Sequence, residues 1–190
     1  MSGIQGRHFR EILLAATMVT LLAPTSMAAD IELLRKQAEA GNEQAQFDLG
    51  VAYGKGQGVP RDSTEAAKWT RMAAVQGSAG AQYNLGNAYS YGEGVPQDYA
   101  EANKWFRMAA EQGMAIAQFN LGAAYFNGQG VSQDYVHSYF WYSLAASRSS
   151  GAEQRKYTEA RDMAAEKLTP EKLIEGQRMT WEWEKSHPRK

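Results

Sequence analysis

One distance recurs through this chain: Trp69, Trp105 and Trp141 stand 36 residues apart. The same spacing separates Leu49, Leu85 and Leu121, then Tyr53, Tyr89 and Tyr125, then Asp62, Asp98 and Asp134. Aligned on these positions, three segments read AQFDLGVAYGKGQGVPRD, AQYNLGNAYSYGEGVPQD and AQFNLGAAYFNGQGVSQD. A period of about 20 to 50 residues marks a stack of like units, none of which can bury its apolar face alone. Anything resembling a site must therefore first be weighed as recurring architecture.

Within the first unit, Ala45, Leu49 and Tyr53 lie at i, i+4 and i+8, on one face of a helix, here helix A. Gly56, Gly58 and Val59 break that pattern, and Pro60 and Pro96 close the turn in the first two units, with Ser132 in the third. A second helix, B, starts at Asp62, Asp98 and Asp134. Asp62 with Glu65, and Asp98 with Glu101, have the spacing in which the first side chain caps the helix and the second reaches back to it. Helix B carries Ala66, Trp69 and Ala73 on one face, and ends near Gly77 in the first unit and Gly113 in the second.

Gly50, Gly86 and Gly122 fall inside helix A, each at a cost of about 1 kcal/mol relative to alanine. A repeated cost implies a repeated gain, and the expectation is close helix packing, with Ala73, Ala74, Ala109 and Ala110 fitting the same density. Each tryptophan is expected to fill the space between the two helices of its own unit, where replacement by alanine costs about 3–5 kcal/mol.

The flanks read as caps. Ile31, Leu34 and Ala38 form a short amphipathic helix over 29–42 that Gly41 ends at the register of Gly77 and Gly113. Three repeats fill 43–149, at about 41–76, 77–112 and 113–148. A closing helix pair over 150–185 opens its second member with Thr169 and Pro170, and 186–190 is a disordered tail. Ahead of all this, Arg7 and Arg10 precede an uncharged stretch from Ile12 to Ala23, and Ser26-Met27-Ala28 follows. That is the layout of a secretory signal peptide over 1–28, cut between Ala28 and Ala29. The apolar stretch is too short for a spanning helix, which needs about 20 residues. The expected address is the periplasm or the exterior, with no stable membrane insertion after cleavage.

Composition narrows the chemistry. The chain has no cysteine, so it has neither disulfides nor a thiol nucleophile, and no lipid-accepting cysteine follows the leader. A net charge of −1 supplies no field for nucleic acid. Only His137 and His187 lie beyond the leader, without metal-ligand spacing, so no metal is assigned. The glycine loops lack the Lys and Ser or Thr of a phosphate-binding loop, so no cofactor is assigned either.

The ordered set AQ-x-x-LG-x-x-Y-x-x-G-x-GV-x-x-D, followed by a tryptophan seven residues on and an Ala-Ala pair, resembles the Sel-one-like repeats, a branch of the tetratricopeptide-like α-solenoids. The resemblance covers roughly 38–149, and the third unit departs from it at Ser132, Ser138 and Ser149. It implies an all-α fold: a right-handed superhelical solenoid of antiparallel helix pairs, acting as an adaptor or regulator through protein contacts. Exported bacterial members are associated with envelope assembly, signalling and host interaction. A cell-wall or β-lactam-directed hydrolase is the enzymatic alternative, proposed for disulfide-rich secreted relatives. This chain lacks their cysteines and has no S-x-x-K serine, so no catalytic residue is assigned. The remaining alternative is an envelope component that binds glycan or peptidoglycan without chemistry.

A protein or peptide partner is expected on the concave face that the A helices line. Phe47, Tyr83 and Phe119 recur there, as packing between units would require. Lys55, Asn84, Asn87, Tyr91, Asn120 and Asn127 are the candidate partner-binding residues. Asparagine hydrogen-bonds peptide backbone in either polarity, and tyrosine gives contact area at low entropic cost. The aromatic run Tyr139, Phe140, Trp141, Tyr142 is expected to be mostly core, leaving Phe140 or Tyr142 to face a ligand. Trp181 and Trp183 are expected to pack in the cap.

Overall fold

The structure is a computed structural model, and it describes residues 29–188. The expected signal peptide lies outside the described residues. Within them the regular structure is helical throughout: α1 over 29–39, α2 Glu43–Lys55, α3 Ser63–Val75, α4 Ala79–Tyr91, α5 Tyr99–Glu111, α6 Ala115–Asn127, α7 Tyr135–Ser147, α8 Gly151–Ala165 and α9 Pro170–Ser186. Three units, α2–α3, α4–α5 and α6–α7, stack between α1 and the pair α8–α9. None of the helices is long and apolar enough to cross a membrane.

Each unit closes by the same device. Asp62, Asp98 and Asp134 cap the second helix, their carboxylates accepting from two amides of the first turn at 2.9 and 3.0 Å. Their own amides donate to the carbonyls of Tyr53, Tyr89 and Tyr125 at 2.9–3.0 Å, which ties the start of helix B to the end of helix A. This corrects the expected reciprocal cap. The amide that Glu65 or Glu101 would reach is already taken. Glu65 instead accepts from Trp69 Nε1 at 3.1 Å and pairs with Lys68, while Glu101 pairs with Lys104.

The helix-A glycines have a specific neighbour, and it is not the alanine pairs. A Cβ on Gly86 would stand 2.6 Å from the Phe106 ring, and one on Gly122 would stand 2.5 Å from that of Tyr142. On Gly50 it would meet Thr70 Oγ1 at 2.5 Å. The residue after each tryptophan therefore lies flat on the bare backbone of its own unit's helix A, so the glycine is needed to let the two helices meet.

The tryptophans themselves sit elsewhere than expected. Trp105 packs with Ala73, Ala74, Ala81 and Leu85, and Trp69 packs with Ala38, Ala45 and Leu49. Each thus fills the junction of its own helix A with the last helix of the unit before, where the alanine pair leaves room. Buried Gln46, Gln82 and Gln118 complete that junction. Their side-chain amides donate at 3.0–3.1 Å to the carbonyls of Ala38, Ala74 and Ala110, each of which also accepts from the amide of Gly41, Gly77 or Gly113 at the helix end. Arg35, Arg71 and Arg107 then donate to the hydroxyls of Tyr53, Tyr89 and Tyr125, pinning each unit to the next.

The loops lock the stack from the other side. Gly94 and Gly130 have positive φ, and a Cβ there would fall 1.9 Å from the Ser63 carbonyl oxygen and 2.4 Å from the Tyr99 carbonyl carbon. At the C-terminal end, Tyr157 of α8 stacks on Phe119 with centroids 4.6 Å apart, and Gly176 of α9 lies against the Tyr139 ring. Phe140, Trp141 and Tyr142 are all buried. That removes Phe140 and Tyr142 as ligand contacts, because α6 and both cap helices pack on α7. Helix α9 runs on to Ser186, and His187 stacks on Trp183, whereas the sequence reading placed the end of the cap at 185.

Candidate functional site

Two neighbouring grooves open on the stack. The first lies between α2, α3 and α4 and encloses about 250 Å³; the second lies between α4, α5 and α6 and encloses about 240 Å³. Every residue lining the second is the 36-residue equivalent of one lining the first. The scaffold therefore builds one site twice and varies its chemistry. Val51, Lys55, Ser63, Ala67, Thr70 and Asn84 in the first become Asn87, Tyr91, Tyr99, Asn103, Phe106 and Asn120 in the second. Asn87 also lines the first groove, so the two are continuous through its side chain.

Of the six residues expected to bind a partner, five line these grooves: Lys55 and Asn84 the first, Tyr91 and Asn120 the second, and Asn87 both. Asn127 lines neither, because the helix after its unit is the cap helix α8 and not another helix A. Phe47, Tyr83 and Phe119 are packing residues. Phe47 supports the Trp105 cluster, Tyr83 meets Phe106 with centroids 5.8 Å apart, and Phe119 touches Tyr142 and Tyr157.

Hydrogen bonding separates the amides already committed to the backbone, Asn103 in the wall of the second groove among them, from those left open in the grooves. Gln46, Gln82, Gln118 and Asn103 each donate to a backbone carbonyl, Asn103 to that of Gln129 at 2.7 Å. The side-chain amides of Asn84, Asn87 and Asn120 make no hydrogen bond among the described residues, and neither does the hydroxyl of Tyr91, a residue 73% exposed. Lys55 and Arg61 in the first groove form no ion pair among the described residues, nor does Glu93 beside them. Lys55 occupies the last turn of α2, where its charge also faces the negative end of the helix dipole.

Sequence reasoning missed three contributors. Arg61 and Glu93 lie in the loops, and Tyr99 opens α5. Their signal was visible, since position 61 is Arg, Gln and Gln in successive units while the residues around it repeat. A wider hollow of about 440 Å³ lies at the C-terminal end between Gln112, Arg148, Trp183 and His187. There the Arg148 guanidinium sits 4.7 Å from the Trp183 ring and donates to the His187 carbonyl, an arrangement that fastens α9. Trp181, by contrast, is 62% exposed, so the expectation of cap packing fits Trp183 and not Trp181.

Two groups of the third unit's framework have their protonation shifted by the fold. Burial pushes the Tyr142 hydroxyl up to about 12. Partial burial also pushes the Asp134 carboxyl up. Hydrogen bonds from the backbone and ring of His137, its charge, and the Val136 amide together outweigh that and hold it below the ordinary range. His137 Nδ1 lies 2.8 Å from Asp134 Oδ2. Among the described residues no cluster of three or more acidic or histidine side chains is arranged to hold a metal ion.

An all-helical stack of 36-residue units, joined by repeated aspartate caps and glutamine-to-carbonyl bonds, defines an α-solenoid repeat protein. The Sel1 repeat model matches residues 43–78, 79–114 and 115–150, and the chain belongs to the Sel1 repeat family. Sel1 repeats generally mediate protein interactions, and their fold is typically non-catalytic. Among solved structures, the chain is similar to a protective antigen of uropathogenic Escherichia coli strains with an SLR fold, at 31% identity and a TM-score of 0.60. That match covers 82% of this chain and 40% of the antigen, so this chain spans less than half of that relative's length. It is also similar to a Sel1 repeat protein from Oxalobacter formigenes, at 35% identity and a TM-score of 0.61, over 68% of this chain and 98% of that one. No curated protein matches the chain.

Proposed function

We propose that this protein is an exported, non-catalytic interaction scaffold that holds an extended segment of a partner protein across the two adjoining grooves. The observation that carries the reading is that the side chains of Asn84, Asn87 and Asn120 make no hydrogen bond among the described residues, whereas those of Gln46, Gln82, Gln118 and Asn103 each donate to a backbone carbonyl. An amide carries both a donor and an acceptor, so a row of them can satisfy the backbone of an extended chain. The layout of the leader supports export, and action in the periplasm or beyond it is part of the proposal.

Affinity capture from the exporting cell tests it, with the purified protein set beside an Asn84→Ala, Asn87→Ala, Asn120→Ala variant of matched helicity. A partner held by the first and lost by the variant is the expected result. Equal capture by both would move the contact off the grooves, and binding to cell-wall glycan alone would replace the protein partner with a carbohydrate one.

A further inference from the structure

The two grooves share a framework but not a charge. The first holds the cations Lys55 and Arg61 with the carboxylate of Glu93, none of them in an ion pair among the described residues, which leaves it net positive. No Lys, Arg, Asp or Glu lines the second; at the corresponding places it has Tyr91 for Lys55, Tyr99 for Ser63 and Phe106 for Thr70. A site built twice on one backbone and then filled with cations in one copy and aromatic rings in the other discriminates between the two ends of whatever crosses it.

We infer that the scaffold reads its partner with polarity, taking an acidic side chain in the first groove and an apolar or aromatic one in the second. The inference rests on the twin-groove reading given above. Lys55 and Arg61 approach an acidic residue from two elements, the end of α2 and the loop before α3, so a carboxylate between them receives charge-assisted hydrogen bonds from both. Glu93 rejects a second acidic residue on the same side. In the neighbouring groove, the exposed faces of Tyr91 and Tyr99 flank a floor formed by Phe106, which suits a ring or branched aliphatic group. Asn87 stands between the two and can bond the intervening backbone. An extended segment that crosses both grooves therefore carries its two anchors at a fixed separation.

A random short-peptide library selected against the purified protein tests this. The expected consensus is Asp or Glu with an apolar or aromatic residue at a fixed spacing from it. Affinity of the selected peptides should fall about tenfold or more in a Lys55→Glu, Arg61→Glu variant. Reselection on that variant should replace the acidic position with Lys or Arg and keep the apolar one, which a fold defect could not produce. Peptides that need Asn87 but show no acidic preference, or no reversal, would overturn the polarity and leave the scaffold reading standing. Failure to select any peptide whose binding depends on Asn87 would overturn both.

Discussion

Gly86 and Gly54 are both helix-A glycines, yet they answer to different neighbours. A Cβ at Gly86 would overlap the Phe106 ring at 2.6 Å, whereas at Gly54 it would rest 3.7 Å from the Ala66 Cβ, an ordinary contact. Gly86→Ala is therefore expected to destabilise by about 1–3 kcal/mol through overpacking, while Gly54→Ala stabilises by about 0.4–1 kcal/mol through the unfolded chain. Urea denaturation of the two variants reads the difference in sign. Tyr142 offers a second check at this scale. Its folded pKa is raised to about 12, so its stabilising contribution is complete below the ordinary tyrosine value, near 10, and is lost as pH rises from there toward 12. Tyr142→Phe should lack this component of alkaline unfolding, as thermal melts across that window would show.

Helix B begins where an aspartate both accepts from the first turn and donates back to a tyrosine carbonyl. Asp98→Ala removes only the first of these roles, since its amide remains, and should cost about 1 kcal/mol in thermal or urea melts. At Asp134 the folded pKa is depressed, so its contribution is present above the ordinary aspartate value of about 3.9 and lost as pH falls through the lower folded value. Acid melts of Asp134→Asn should be flatter over that range. The caps were legible in the sequence because a cap is local, needing only a residue and the amides two and three positions on. The reciprocal role assigned to Glu65 and Glu101 was not, because the tyrosine carbonyl that takes the aspartate amide comes from the preceding helix across the turn. Spacing in the same way identified the tryptophans but not the side of helix B they serve. The partner set of Trp105, Ala73, Ala74, Ala81 and Leu85, emerges only when the helices are stacked.

For the whole molecule, stability passes from unit to unit through the tryptophan junctions, the glutamine-to-carbonyl bonds and the arginine pins. Trp105→Ala should cost about 3–5 kcal/mol and loosen α3 and α4 together, seen as faster amide exchange in both helices while α8 changes less. The grooves were half legible in the sequence. Lys55, Asn84, Asn87, Tyr91 and Asn120 were identified because they lie on the A helices with side chains suited to a peptide, but the grooves also draw on helix B and the loops, and this brought in Arg61 and Tyr99 and left Asn127 out. Whether a partner spans both grooves can be read from the side-chain amide resonances of the asparagines as a selected peptide is titrated into labelled protein. The account predicts that Asn84, Asn87 and Asn120 shift together along one binding curve while Asn127 stays still; shifts gathered at Asn127 or at the Trp181 indole, with Asn87 unmoved, would contradict it.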